Sequence, residues 1–335
     1  MIPVCVLTGF LGSGKTTLLG QLLKSPEFAR TAVIINEFGE IGLDHDLIET
    51  SDESFVTLQT GCLCCTIRGD LVLTLADIVR RRDEGTVTPF DRVVIETSGL
   101  ADPAPILHAV MSDDALAERL MLAGVVTTVD AIHGAETLER QPESVKQVAV
   151  ADRLVLTKTD LVAAYPAALA DRVAALNPSA PLLPACFGDI DPARLFDARI
   201  WDPSSRLEAL ADERHQDHGA DASNRHDGRT TCFALIRDQP IPAIALTLFL
   251  EVLAEHCGAD LLRLKGIVHI AESPDQPAVI HGVQHVFHPP AFLNRWPSDD
   301  RRSRLVFIAR DLRREFAEAL LDAIEAEVRE TTRSK

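Results

Sequence analysis

Positive charge is what this chain is short of. Its 33 lysines and arginines face 50 aspartates and glutamates, leaving a formal charge of −17. At long range that field repels phosphate backbones and anionic headgroups, which argues against nucleic acid and membrane as partners. Long hydrophobic runs are missing too. The most apolar stretch, MLAGVVTTVDAI, is too short to span a bilayer and contains Asp130. The opening MIPVCVLTGF carries no basic leader pattern, so the expected compartment is the cytoplasm. Disulfides are rare there, so clustered members of the seven cysteines read as ligands or reactive thiols. There is no internal repeat and no sustained heptad. What is present, 46% hydrophobic and 25% charged residues over 335 positions, is the composition of a folded chain long enough for two domains.

Apolar runs rich in β-branched residues alternate with helical patterns through the first two thirds: PVCVLT (3–8), TAVIIN (31–36), SFVTLQ (54–59), RVVIET (92–97), LAGVVTTVD (122–130) and RLVLTKTD (153–160). Such near-continuous strands between helices predict an α/β fold, a mainly parallel sheet covered by helices on both faces. Residues 202–229 are polar, charged and poor in β-branched side chains, and read as a linker. Beyond it the pattern predicts a strand (230–238), a helix (242–256), strands near 262–271, 278–288 and 304–310, and a closing helix (313–328). That order suggests a smaller α+β domain with one sheet face covered by helices. The expected division is therefore 1–201, 202–229 and 230–335.

The first strand runs into GFLGSGKTT, Gly9 to Thr17, which matches the P-loop pattern with a strand before it and a helix after it. Gly12 and Gly14 let backbone N–H groups turn inward around a β-phosphate, and the following helix adds the positive end of its dipole. In this reading Gly9, Gly12, Ser13, Gly14, Lys15, Thr16 and Thr17 form the cradle. Lys15 bridges β- and γ-phosphate oxygens and Thr16 offers its hydroxyl to Mg²⁺. The bland alternative is a glycine turn with a chance lysine. Glu96 closes the buried run RVVIET, where an unpartnered carboxylate would cost several kcal/mol. A Mg²⁺ partner is one remedy and a salt-bridged strand end the other. Gly99 follows, with an N–H able to approach the γ-phosphate. At 157–160, Thr157, Lys158 and Asp160 have a spacing suited to guanine: the carboxylate accepts from N1–H and the exocyclic amine, and the lysine stem packs on the ring. Adenine offers no such donor pair, so GTP is favoured over ATP.

The stretch TGCLCCT places Cys62, Cys64 and Cys65 in one short loop. A structural zinc site shows two separated pairs and four closed ligands, whereas three or fewer thiolates make an open, exchanging site. Soft thiolates select Zn²⁺ or Cu(I), with Co²⁺, Ni²⁺ and Fe²⁺ admissible. Two alternatives stay open: buried cysteines acting as small hydrophobes, and a redox switch through a Cys64/Cys65 bond. Upstream, NEFGEIGLDHDLI (36–48) occupies the place of a switch segment ordered by γ-phosphate and Mg²⁺.

In order, GFLGSGKTT, NEFGEIGLD, GCLCC, ETSGLADP and TKTDL resemble the CobW family of metallochaperone GTPases. The stretches RLKGIVHI and FHPP…WPSDDRRSRLVFIARDL are similar to that family's C-terminal domain, so the resemblance covers nearly the whole chain. It implies a GTPase that binds a transition metal at C-x-C-C and hands it to a client metalloprotein docked partly on the C-terminal domain. It also implies that Glu37 joins Cys64 and Cys65 around the metal; ligand softness and abundance, not the resemblance, rank zinc first and cobalt second. A nucleotide-dependent homodimer is admissible. Thr157 departs from the family's commoner asparagine. Two rivals are a metal-sensing GTP switch that delivers nothing and a small-molecule kinase on the same scaffold. His215, His218 and His226 in the linker read as incidental. His281, His285 and His288 are placed on one strand, the first two on the same face. Arg80, Arg81 and Arg82 read as decoration of a helix surface.

Overall fold

The computed structural model describes residues 1–38, 55–60, 64–196 and 230–333, with backbone alone at 36–38, 55–60, 64–68, 114–115 and 332–333. The chain divides into two units, residues 1–174 with 180–196 and residues 230–333 with 175–179, each with its own core. The predicted linker, with its three histidines, lies outside the described residues.

The first unit runs β1 (Ile2–Gly9), α1 (Lys15–Leu23), β2 (Thr31–Phe38), β3 (Phe55–Thr60), α2 (Cys64–Asp83), β4 (Arg92–Thr97), α3 (Ala104–Ser112), α4 (Asp114–Ala117) and β5 (Leu120–Asp130). It continues with α5 (Gly134–Arg140), α6 (Pro142–Ala149), β6 (Arg153–Thr157), α7 (Ala167–Leu176), β7 (Leu182–Pro184) and α8 (Pro192–Phe196). All seven strands are parallel, in the order β3-β2-β4-β1-β5-β6-β7. Burial on both faces explains the continuous apolar runs. On one face, Leu18, Leu19 and Leu22 of α1 and Leu195 of α8 pack with Cys5, Leu7, Val94, Val126 and Val155. On the other, the Thr127 hydroxyl donates to the Gln147 carbonyl of α6 at 2.8 Å. Each fully buried leucine there contributes roughly 1.5–3 kcal/mol. Because β1 is central and the chain winds first to one side of it and then to the other, the crevice at its carboxyl end is the switch point where an open α/β sheet binds ligands.

The second unit runs β8 (Thr230–Arg237), α9 (Ala243–Cys257), β9 (Leu261–Ile270), β10 (Ser273–Val283), β11 (Val286–Phe287), β12 (Ala291–Phe292), β13 (Ser303–Arg310) and α10 (Arg314–Arg333). Its sheet is antiparallel, ordered β11-β10-β9-β13-β8, with β12 paired to β10. Leu264 and Val268 of β9, Ile280 of β10 and Phe307 of β13 form a core with Phe249 and Leu253 of α9 and Ala317 and Leu321 of α10. Phe307 stacks on Phe233 at 4.8 Å and meets Phe249 edge-on at 6.4 Å. Phe307 thereby ties the sheet to its helix layer.

One predicted strand is corrected. The 278–288 run does not continue through its histidines, because the chain reverses at Gln284 and His285, where Gln284 takes φ +51° and Val283 pairs with Val286. His281 therefore lies on β10, His285 in the turn and His288 beyond β11. His285 Nδ1 lies 2.9 Å from the Ala254 carbonyl, a helix contact and not a strand-face position. No described helix is long and apolar enough to cross a membrane.

Candidate functional site

Four strands end at one edge of the parallel sheet and present the predicted residues together. After β1 the chain turns through Gly12, and Gly14, at φ +89°, starts α1 from a left-handed conformation that a side chain would strain. Lys15 is buried, and its ammonium donates to the Phe10 carbonyl at 3.4 Å, spanning the loop. Ser13 is held twice: its hydroxyl lies 2.6 Å from that of Thr128 on β5, and its carbonyl accepts from the Thr157 hydroxyl on β6 at 2.6 Å. Thr157 also donates to the Val129 carbonyl at 3.1 Å. Thr157 thus stitches β6 to the phosphate loop.

Glu96, next to last in β4, is 3% exposed, and its Oε1 accepts from the Thr16 hydroxyl at 2.7 Å. This brings the two predicted Mg²⁺ residues together across 80 positions of sequence. A hydroxyl and a carboxylate are hard oxygen donors of the kind Mg²⁺ takes, so the donor set fits that ion. Gly99 follows on the loop after β4 and abuts Leu11: a β-carbon there would lie 2.5 Å from the Leu11 backbone nitrogen.

On the base side, Lys158 adopts φ +57° and its ammonium donates to Asp130 Oδ2 at 2.7 Å. Burial alone would raise the Asp130 pKa. The hydrogen bond from Lys158 and the N–H groups of Ile132 and His133 outweigh it and hold the carboxyl below its usual range. The lysine is anchored by its tip, which leaves its aliphatic stem as a fixed wall. Asp160 Oδ1 accepts the Phe187 N–H at 3.2 Å, and the Phe187 ring is 68% exposed.

The sequence reading did not assign Asp130, Thr128 or Phe187. Asp130 was findable, since it lies at the end of a buried strand as Glu96 does. The pairing of Thr128 with Ser13 and the placement of Phe187 beside Asp160 arise only from folding.

The metal residues inferred from sequence, Cys62, Cys64, Cys65 and Glu37, have side chains outside the described set. The described backbone nevertheless corrects one point: α2 begins at Cys64, so Cys64 and Cys65 belong to the first turn of a helix instead of a loop. A helix N-terminus favours thiolate over thiol. Among the described residues no three His, Cys, Asp or Glu side chains gather as a metal site. Cys5, by contrast, is a core residue whose burial pushes its pKa up to about 12.

Two family models match the chain: the CobW/HypB/UreG nucleotide-binding domain over residues 3–184 and the cobalamin synthesis protein cobW C-terminal domain over residues 230–325. The zinc chaperone YjiA of Escherichia coli (strain K12) is 34% identical over 315 residues, spanning 92% of this chain and 93% of that protein. A zinc chaperone CobW from Sinorhizobium sp is 30% identical over 303 residues, spanning 82% of this chain and 83% of that protein. Among solved structures, the Zn(II)-bound YjiA GTPase from E. coli superposes with a TM-score of 0.69 at 29% identity, over 96% of this chain and 98% of that one. Parallel sheet, phosphate loop and matched domains agree: the chain belongs to the CobW/HypB/UreG family of nucleotide-binding proteins.

Proposed function

We propose that the chain is a GTP-hydrolysing metallochaperone that binds zinc at its C-x-C-C motif and delivers it to a client metalloprotein. The observation carrying this reading is the meeting of Thr16 with Glu96 at 2.7 Å beside the Gly14–Lys15 start of α1. That arrangement supports a phosphoryl-transfer reading, and the cysteine motif lies in the sequence between its two halves. Gly9, Gly12, Ser13, Gly14, Lys15, Thr16 and Thr17 hold the phosphates, and Asp160 selects guanine beside the Lys158 stem and Thr157. Lys15 and the α1 dipole stabilise charge that grows on the phosphate oxygens as water attacks in line. Thr16 and Glu96 would hold Mg²⁺, whose charge would offset that of the β- and γ-phosphates.

Zinc as cargo is supported by the names of two relatives and by the softness of thiolate ligands. Cys64, Cys65 and Glu37 grip it in the GTP state, with Cys62 as the remaining thiolate. Hydrolysis relaxes the 36–48 segment and loosens the grip. The client docks partly on the 230–335 domain, past the 202–229 linker, in the cytoplasm. A homodimer that forms with nucleotide is part of the same proposal, as is cobalt as a second cargo.

Linkage provides the test, because a nucleotide that tightens metal binding must itself be tightened by metal to the same degree. Chelator-competition titrations of Zn²⁺ and of Co²⁺ are run with a non-hydrolysable GTP analogue and with GDP. The expected result is Zn²⁺ bound at least about tenfold more tightly in the triphosphate state, a coupling of typical size. Equal affinity in both states removes the handover mechanism, and a preference confined to Co²⁺ reassigns the cargo.

A further inference from the structure

The loop after β4, residues 98–102, is held from behind by two neighbouring residues of α6. Gln147, with 1% exposure, donates through Nε2 to the carbonyls of Gly99 and Ala101, both at 3.1 Å. Lys146 reaches Asp102 Oδ2 at 2.6 Å, and Asp102 Oδ1 in turn accepts the Ala104 N–H that opens α3. The helix bearing them is itself fixed, since the Gln147 carbonyl accepts the Thr127 hydroxyl of β5 at 2.8 Å. On its other side the loop meets the phosphate loop, where Gly99 leaves no room for a β-carbon against Leu11. The loop is thus enclosed between a clamp and the phosphate cradle.

Direction follows from peptide geometry. There is no cis bond among the described residues, and in a trans peptide the N–H points opposite to the carbonyl. With the carbonyls of Gly99 and Ala101 both drawn toward Gln147, the N–H groups of Leu100 and Asp102 are turned away from it. Leu100 is exposed, three residues past the strand end that carries Glu96 and Thr97. Without the amide of Gln147, two carbonyls would face a buried space with no donor, and the loop would rotate to solvate them.

We propose that Gln147 is a positioning residue for the terminal phosphate: by fixing the 98–102 loop against Leu11 it aims backbone N–H donors at the γ-position, and so sets the preference for nucleoside triphosphate over diphosphate. Lys146 supports the same loop through Asp102. The inference rests on the reading of the chain as a GTP hydrolase.

The test compares equilibrium affinities for GTPγS and GDP, each with Mg²⁺, in the full chain and in Gln147→Leu, which keeps the bulk and removes the donor. A circular-dichroism melt without nucleotide accompanies each protein. The expected result is a loss of GTPγS affinity of about tenfold with GDP affinity changed less than about twofold, and a fall in kcat. A structural defect would weaken both ligands together, since both need the same β-phosphate and base contacts. Equal losses, or an unchanged ratio in a folded variant, overturn the proposal. Should Gln147→Leu fail to fold, Lys146→Met, at a partly exposed position, is expected to shift the ratio the same way by about threefold, and an unchanged ratio there overturns it as well. If the unaltered chain binds neither nucleotide, the GTPase reading fails with it. If it binds both and only the ratio resists, this inference alone falls.

Discussion

Thr157 shows how a side chain singled out by one motif can owe its contacts to distant parts of the chain. From sequence it belongs to the expected base-recognition motif at the end of β6. Its hydroxyl, however, is given to the carbonyls of Ser13 and Val129, in a pocket where the residue is 3% exposed. Nothing in TKTDL announces this, because the partner is 144 positions away in sequence. Thr157→Val keeps the shape and leaves buried acceptors without their donor, a cost of roughly 1–3 kcal/mol. Part of that falls on the phosphate loop, so affinity for a fluorescent GDP analogue should drop by about tenfold, with the unfolding midpoint only slightly lowered. An affinity within twofold of the parent would mean that the stitch to Ser13 is not what holds the loop. Asp130 makes a related point. It was noticed only as a charge that excludes a membrane span, yet it grips the ammonium of Lys158 at 2.7 Å.

At the scale of elements, the strands with continuous β-branched runs were legible, and those signalled by little else were not. β7 is three residues, Leu182–Pro184, bracketed by proline, paired with β6 and contributing only Leu183 to the core. The reversal after β10 escaped because VIHGVQHVFH keeps an apparent alternation through its turn, and Gln284 enters the left-handed region without a glycine or asparagine to mark it. The Arg80–Arg82 run was read correctly only in part. Arg80 pairs on the surface with Asp77 and Glu84, whereas Arg82 turns in to donate to the Phe90 carbonyl at 2.7 Å. The segment leading into β13 offers a pH test. Asp300 accepts from the backbone and side chain of Arg302, and its Oδ2 also accepts from Arg304, which is 1% exposed. Hydrogen bonding from Arg302, reinforced by the charge of Arg304, lowers the Asp300 pKa to about 2 against an ordinary 3.8. A carboxyl depressed by folding stabilises above its unfolded pKa and loses that contribution as pH falls through the folded one. Asp300→Asn should therefore be less stable than the parent at neutral pH, with the gap closing between 3.8 and about 2. Denaturant midpoints across that window would reveal it, and a gap persisting unchanged at pH 2 would contradict it.

For the molecule as a whole, charge is the property that composition alone decides. A formal −17 destabilises any compact state by self-repulsion, and that repulsion is screened by salt. Raising KCl from about 20 to 300 mM, where the screening length falls below about 10 Å, should raise the thermal midpoint. A midpoint that falls would show that favourable surface pairs such as Arg30 with Asp91 outweigh the net field. Fold class and phosphate loop were readable because they depend on local runs and short spacings. The clamp, the stitch and the lysine anchor depend on which strands become neighbours, which no spacing encodes. That dependence has a further consequence during synthesis. The phosphate loop leaves the ribosome before its partners, since Glu96 follows Thr16 by 80 positions and Thr157 follows Ser13 by 144. Long-range parallel pairing forms late. A nascent chain therefore carries its most recognisable motif without the means to hold a nucleotide, and acquires that means only once β6 has been made and docked, so that nucleotide capture marks the docking of β6.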